Sequence, residues 1–275
     1  MYDFVYHRPR SVNEAAALMT EAEDGRYLAG GQTLLPAMKL RLSAPSDLID
    51  LGGIEGLSGI TEEGDGLRVG ALVPHAEVAE TATAIPALAA LAALIGDVQV
   101  RNRGTLGGSI ANNDPAADYP AAVVGLGATV ETNRWAIEAD AFFTSLFETA
   151  LEEGEIVTAV YFPKPEKAAY MKFPHPASRF AIVGVMVAQT AGGVRVAVTG
   201  AGACVFRVPE MERTLEADFA PDAVRGISLG ADDLNDDIHA SSEYRAHLVG
   251  VLAGRAVAAA SKYQDIHGAS GVGLV

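Results

Sequence analysis

Two glycine pairs stand in similar settings in this chain. One lies in Leu28-Ala29-Gly30-Gly31-Gln32-Thr33-Leu34, the other in Gly104-Thr105-Leu106-Gly107-Gly108-Ser109. Glycine reaches positive φ without steric cost and carries no Cβ to hold a ligand away from the backbone. Paired glycines therefore suit a concave nest of N–H donors, and two nests suit a pyrophosphate. A tight turn without a ligand is the plainer reading of either pair alone. Asp114 and Asp118 follow the second pair; a carboxylate repels phosphate but accepts from sugar hydroxyls. Asp114 equally suits the N-cap of the segment after Pro115.

Other chemistries find little support in the residues. No G-x-G-x-x-G follows a strand and no Walker sequence is present, so a Rossmann or P-loop site is not expected. Ser109 lies in Gly-Gly-Ser-Ile-Ala, which lacks the second glycine of a nucleophile elbow. The histidines at 7, 75, 175, 239, 247 and 267 show no zinc-type spacing, and Asp232, Asp233, Asp236 and Asp237 lack the ligand spacing and closing glutamate of a calcium loop, so they read as a solvated turn. No metal site is expected. The single cysteine, Cys204, excludes an intrachain disulfide and cannot hold an iron–sulfur cluster; in Gly-Ala-Cys-Val-Phe it reads as a small buried side chain.

The elements that must position the glycine loops are legible in part. Ser11 and Glu14 have capping-box spacing and predict a helix from residue 15 to 22. Residues 27–29 read as a strand into the first loop, 34–42 as a helix leaving it and 47–51 as a half-buried strand. Glycines 52, 53 and 56 mark a subdomain boundary. Residues 57–61 and 67–70 predict a hairpin, Pro74 and Pro86 open helices to 80 and 95, and 121–126 predicts another. Residues 128–132, 135–138 and 156–162 read as strands with a helix over 140–147 between them. Pro163-Lys164-Pro165 is the linker candidate. Beyond it come strands at 168–173, 181–190 and 194–201, the last two a hairpin, then helices at 215–225 and 243–263, the latter with Leu248, Val251, Leu252, Arg255 and 257–259 near one face.

Composition limits the partners. The 275 residues carry 35 acidic and 20 basic side chains, a net charge of -15, and are 49% hydrophobic. Such a field repels nucleic acid and anionic membranes, and any bound phosphate must be met by local N–H groups rather than a basic patch. The start of the chain does not read as a secretory signal, and the longest apolar run, residues 84–95, contains Pro86 and is too short to span a bilayer. No membrane insertion and a cytoplasmic location are expected.

The two loops in this order, with Ala29-Gly30-Gly31-Gln32-Thr33, Thr105-Leu106-Gly107-Gly108-Ser109, Asn112, Asp114-Pro115 and Asp118, carry a family resemblance. Phe4-Val5-Tyr6-His7-Arg8-Pro9, Met38-Lys39, Gln99-Val100-Arg101-Asn102 and Glu243-Tyr244-Arg245 extend it over nearly the whole chain. The chain resembles the FAD-binding medium subunits of the molybdenum hydroxylases, of the carbon monoxide dehydrogenase type and similar to the FAD subunit of xanthine dehydrogenase. The resemblance implies an α+β fold: a two-lobed FAD-binding domain of the vanillyl-alcohol-oxidase/PCMH type over residues 1–165, with lobes about 1–54 and 55–165. A smaller C-terminal α/β domain with an antiparallel sheet follows over 166–275.

The same resemblance implies the site and the work done there. Cofactor contacts are expected from Leu28, Ala29, Gly30, Gly31, Gln32, Thr33, Leu34, Gly104, Thr105, Gly107, Gly108, Ser109, Asn112 and Asp114, with Asp118 at the sugar part of FAD. The ring is expected near Val157, Lys172 and Phe180, Ile156-Val157 otherwise reading as strand core. Relatives carry a tyrosine after an aspartate where this chain has Arg179-Phe180, which keeps an aromatic face, loses a hydroxyl and reverses a charge. Arg101 and Arg103 read either as surface ion-pair partners or as flanks of the cleft. Neither glycine loop offers a His or Cys for attachment, so FAD is expected without a covalent bond. [2Fe-2S] clusters and the molybdopterin cofactor are expected only on partners, a small iron–sulfur subunit and a large molybdenum subunit of a dimerised heterotrimer. The chain would pass electrons from the clusters through FAD to an external acceptor, with no catalytic residue of its own and activity only in the complex. A self-contained flavin oxidase would need an acid or base over the ring, and a cofactor-free scaffold would not need the glycines; these are the alternatives.

Overall fold

Ser11 caps the first helix as its spacing to Glu14 predicts. Its hydroxyl accepts from the Glu14 N–H at 3.1 Å, and the Glu14 carboxylate accepts from the Arg10 N–H at 2.8 Å. In the computed structural model, which describes residues 1–268 and side-chain surroundings to residue 262, the first lobe runs β1 (Val5–His7), α1 (Val12–Glu21), β2 (Gly25–Leu28), α2 (Leu34–Lys39) and β3 (Asp47–Asp50). Its three strands form a parallel sheet in the order β1-β3-β2. Helix α2 stops at Lys39 rather than at residue 42. Arg41 takes a φ of 60°, and the N–H groups of Arg41 and Leu42 turn back to the carbonyls of Met38 and Ala37, a left-handed closure that satisfies the last carbonyls.

The second lobe is built on an antiparallel sheet. It contains β4 (Ile60–Glu63), β5 (Gly66–Gly70), α3 (His75–Thr81), α4 (Pro86–Ala93), α5 (Val98–Arg103), α6 (Leu106–Asn112), α7 (Tyr119–Gly125), β6 (Thr129–Thr132), β7 (Ala136–Glu138), α8 (Ala139–Phe142), β8 (Phe143–Ser145), β9 (Glu148–Thr149) and β10 (Val157–Pro163). The strand order β4-β5-β10-β6-β7 places β10 at the centre. Two expectations fail here. The helix predicted over 140–147 is the single turn of α8, after which the chain forms the β8–β9 hairpin with Phe147 at a φ of 56°. Gly107 and Gly108 lie in the first turn of α6, not in a positive-φ turn, and α5 occupies a stretch in which no helix was predicted.

Beyond residue 165 come β11 (Lys167–Pro174), β12 (Ala181–Thr190), β13 (Gly193–Thr199), β14 (Phe206–Arg207), α9 (Pro209–Ala217) and α10 (Ser242–Gly268). The strands make one antiparallel sheet in chain order. Residues 181–188 of β12 are all buried. Val183, Val185 and Val187 meet Val249, Leu252 and Ala256 of α10, while Met186 and Ala188 belong to the cluster around α7. The helix predicted over 215–225 ends at Ala217, and Pro221 starts a separate 3-10 turn, since proline cannot continue a helix interior. On α10 the buried face is Leu248, Val249, Leu252, Ala253, Ala256 and Val257, with Arg255 outside it. Cys204 is half-buried rather than buried.

Three apolar clusters result: one of residues 15–57 with Ile156, one centred on β5, β10 and helices α3 to α7, and one between β12, β13, α9 and α10. The middle cluster continues past residue 165 into Tyr170, Met186 and Ala197, so the antiparallel sheet is packed directly on α7.

Candidate cofactor site

The first loop leaves β2 and enters α2. Gly31 there has a φ of 72°, and an added Cβ would meet the Leu35 side chain at 2.8 Å. Among the described residues, the five consecutive main-chain N–H groups from Gly30 to Leu34 have no hydrogen-bond partner. Gln32 and Thr33 are exposed, and their side chains are likewise unpaired among these residues. Five free donors lie in one turn at the start of α2, where the first N–H groups of a helix have no intrahelical partner and can meet an anion.

The second loop lies against the first. A Cβ on Gly30 would strike the main chain of Arg103 and Gly104, and one on Gly108 would stand 3.5 Å from Ala29. Thr105 caps α6, its hydroxyl accepting from the Gly108 N–H at 3.2 Å. The Gly107 N–H is spent on the Ala71 carbonyl at 2.8 Å, and a Cβ there would lie 2.5 Å from that of Ala71. Gly107 is thus a close-packing glycine, not a donor to a ligand. Among the described residues, the Thr105 N–H and the Ser109 hydroxyl of the second loop have no hydrogen-bond partner.

His75 underpins this junction. Its N–H donates to the Gly104 carbonyl at 2.9 Å, and its ring packs 5.2 Å from that of Tyr119. Burial, with repulsion from Arg101 second, pushes the imidazole down to about 4, so it is neutral at neutral pH. Arg101 donates to the carbonyls of Ile95 and Gly96 at the end of α4. Arg103 is exposed and has no carboxylate partner among the described residues.

Asp118, expected at the sugar part of FAD, has two side-chain partners within the chain. Its oxygens accept from the Tyr170 hydroxyl at 2.6 Å and from Lys172 Nζ at 2.8 Å, and Lys172 also donates to the Leu94 carbonyl. The Asp118 and Lys172 side chains are 4% and 3% exposed. Burial pushes the Asp118 carboxyl up against the opposing pull of Lys172 and Tyr170. The triad joins α7 to β11 and cancels the local charge, leaving N–H groups as the donors for phosphate. Tyr170 escapes sequence reading because nothing in an alternating strand marks one tyrosine as a partner 52 residues away.

The remaining expected residues fall elsewhere. Asp114 forms a turn, accepting from the Ala116 N–H at 2.9 Å, and burial raises its carboxyl. It shares a cleft of about 280 Å³ with Phe180 and His175. Phe180, expected as a ring shield, is 47% exposed at the end of a turn in which Arg179 has a φ of 61°. Val157 packs in the middle apolar cluster. Asn112 is half-buried and makes no hydrogen bond with the described residues, while its neighbour Asn113, not expected from sequence, ends α6 at a φ of 43° and donates to the carbonyls of Ser145 and Glu148. The acids of residues 232–237 are more than a solvated turn: Asp237 pairs with Arg245 at 2.7 Å, and Arg245 donates to the carbonyls of Ile182 and Gly200. Among the described residues no cluster of three or more ligands is arranged for a metal, and no helix is long and apolar enough to cross a membrane.

Comparison with known proteins shows the family. Residues 2–165 match the family described as the FAD binding domain in molybdopterin dehydrogenase. The chain belongs to this family. The nicotine 6-hydroxylase medium subunit of Paenarthrobacter nicotinovorans is 38% identical over 269 residues, covering 92% of this chain and 95% of that one. The carbon monoxide dehydrogenase medium chain of Hydrogenophaga pseudoflava is 34% identical, covering 94% and 96%. Among solved structures, reconstituted CO dehydrogenase from Oligotropha carboxidovorans superposes with a TM-score of 0.87 at 31% identity, over 94% of this chain and 98% of that one. The α+β fold of the FAD-binding type, with its antiparallel C-terminal sheet, agrees with these matches.

Proposed function

We propose that this chain is the FAD-binding electron-transfer subunit of a molybdenum hydroxylase complex and that its two glycine loops hold the dinucleotide. The observation that carries the proposal is the run of five unpartnered N–H groups from Gly30 to Leu34, set against the second loop in a chain of net charge -15. Those donors fit a pyrophosphate without any basic side chain. Leu28 and Ala29 bring the chain into the nest, Gly30 lets the second loop approach it, and Thr105 and Ser109 add polar groups at its side. FAD supplies the redox chemistry, taking up electrons and passing them on to an external acceptor. The protein supplies position. Lys172, Asp118 and Tyr170 join α7 to β11, and Asp114 and Phe180 border the cleft of about 280 Å³.

Relatives named as medium subunits support assembly with small and large partners, which we take to be an iron–sulfur subunit and a molybdenum subunit in a dimerised heterotrimer. We take the chain as a two-lobed domain over 1–165 followed by a domain over 166–275, and as cytoplasmic. Titration of FAD into the deflavinated chain tests the cofactor reading. Saturable binding at one site per chain, lost in Gly31→Val with the fold retained, is expected; a Gly31→Val chain that binds FAD as tightly as wild type rules the first nest out.

A further inference from the structure

We propose that Arg245 is a positioning residue for Phe180 and, through it, for the flavin ring, a proposal that rests on the reading of this chain as a flavin subunit. The turn from His175 to Phe180 is closed by the His175 N–H on the Phe180 carbonyl at 2.8 Å and by the Arg179 N–H on the His175 carbonyl at 2.9 Å. Arg179 holds a φ of 61° within it, and a side chain in that region persists only where its surroundings over-determine it. Three linked groups do so. The His175 Nδ1 accepts from the N–H groups of Ala177 and Ser178 at 3.2 and 3.1 Å, so it keeps its lone pair and the ring proton lies on Nε2. That Nε2–H faces the His239 Nδ1 at 3.2 Å, the two rings edge to face with centres 4.4 Å apart. His239 is held in turn by Asp237, whose carboxylate accepts from the N–H groups of His239 and Ala240 at 2.8 and 3.1 Å.

Arg245 is where these contacts converge. Its Nη2 donates to the other Asp237 oxygen at 2.7 Å, and its Nη1 donates to the carbonyls of Ile182 and Gly200 at 2.6 and 3.0 Å. Ile182 lies two residues beyond Phe180. One guanidinium thus fixes Phe180 from both sides, through Asp237, His239 and His175 at the start of the turn and through Ile182 at its end. The Arg245 side chain is 4% exposed. A buried ion pair is weak evidence of added stability, whereas a planar fork of donors in set directions can hold several acceptors at once. The same turn borders the place where a ring would lie. Phe180, Asp237, Arg245 and Asp114 line one cleft of about 280 Å³. Asp114 places that cleft at the far end of α6 from the second glycine loop, seven residues or about 10 Å of helix. A flavin dinucleotide spans such a separation between its phosphates and its ring.

Flavin emission from the FAD-loaded chain tests this, because an aromatic side chain against the ring quenches it. Phe180→Ala is expected to raise the emission while the FAD dissociation constant, set by the loops, stays as in wild type. His239→Ala removes an exposed side chain and leaves Arg245 and Asp237 in place; Arg245→Lys keeps the charge and loses the fork. Both are expected to raise emission toward the Phe180→Ala level. Adding His239→Ala to Phe180→Ala is expected to raise it no further, a non-additivity that general loosening of the fold would not give. If Phe180→Ala raises emission and a folded Arg245→Lys chain does not, Arg245 does not position Phe180. Where Arg245→Lys fails to fold, His239→Ala decides: wild-type emission there overturns the linkage through His175. Unchanged emission in Phe180→Ala overturns the positioning role and leaves the glycine loops as the cofactor site. A wild-type chain that binds no FAD overturns both.

Discussion

At Gly31 and Gly107 the same residue type serves two different needs. Gly31 supplies positive φ in the nest, whereas Gly107 permits α6 to touch Ala71. Gly31→Val should cost about 1–2 kcal/mol of backbone strain and leave a folded chain that has lost FAD affinity. Gly107→Val places a side chain against main chain in a packed core and should cost about 3 kcal/mol or more. Thermal melts followed by circular dichroism separate the two; a Gly107→Val chain with wild-type melting would show that α6 does not need the close approach. His75 sets an acid limit on stability. Its folded value, about 4, lies below the ordinary 6.5, so the unfolded chain binds the proton more readily. The contribution is fully present above pH 6.5 and is lost as pH falls toward 4, amounting to about 3 kcal/mol at 1.36 kcal/mol per unit. His75→Gln should flatten that limb in denaturant melts between pH 7 and 4, and an unchanged slope would place the titration elsewhere.

Between elements, the Asp118–Lys172–Tyr170 triad is the clearest joint, because it ties α7 to β11 across the Pro163–Pro165 break in the chain. Removing one charge strands the other in the interior. Lys172→Met alone should destabilise by about 3–5 kcal/mol, and adding Asp118→Asn should recover much of that, since both charges are then gone. A double-mutant cycle in urea measures the coupling. If the double variant loses the sum of the two single losses, the pair is not acting as a unit. Tyr170 adds a second bond to the same carboxylate, so Tyr170→Phe should weaken the joint more modestly.

For the whole molecule, FAD binding and stability are linked. FAD at 100 times its dissociation constant should stabilise the deflavinated chain by about 2.7 kcal/mol, a rise of roughly 5–10 °C in melting temperature for a chain of this size. A flat melting temperature across an FAD titration would mean that the folded state does not select the cofactor. Acid precipitation should leave the flavin in the supernatant, because the loops offer no His or Cys for attachment. Yellow protein in the pellet would contradict that. The chain alone should show no turnover with aldehydes, purines or alcohols and an artificial acceptor; sustained activity would favour a stand-alone oxidase.

Local chemistry was open to reading from the sequence. The Ser11–Glu14 cap, the hairpin into β5, the prolines that open α3 and α4 and the break before β11 depend on residues close in the chain, and so did the two glycine loops with the family resemblance they carry. Tertiary structure decided what each glycine does. Gly31 and Gly107 look alike in sequence, but only packing shows that one faces a nest of free donors and the other the Ala71 backbone. The same holds for Asp118, whose partners Tyr170 and Lys172 lie 52 and 54 residues away, and for the early end of α2, where the bonds from Arg41 and Leu42 override a helical pattern. A spacing of three or four residues records neighbours along one element. Which element lies against which is set by burial of the three apolar clusters, and that depends on the chain as a whole.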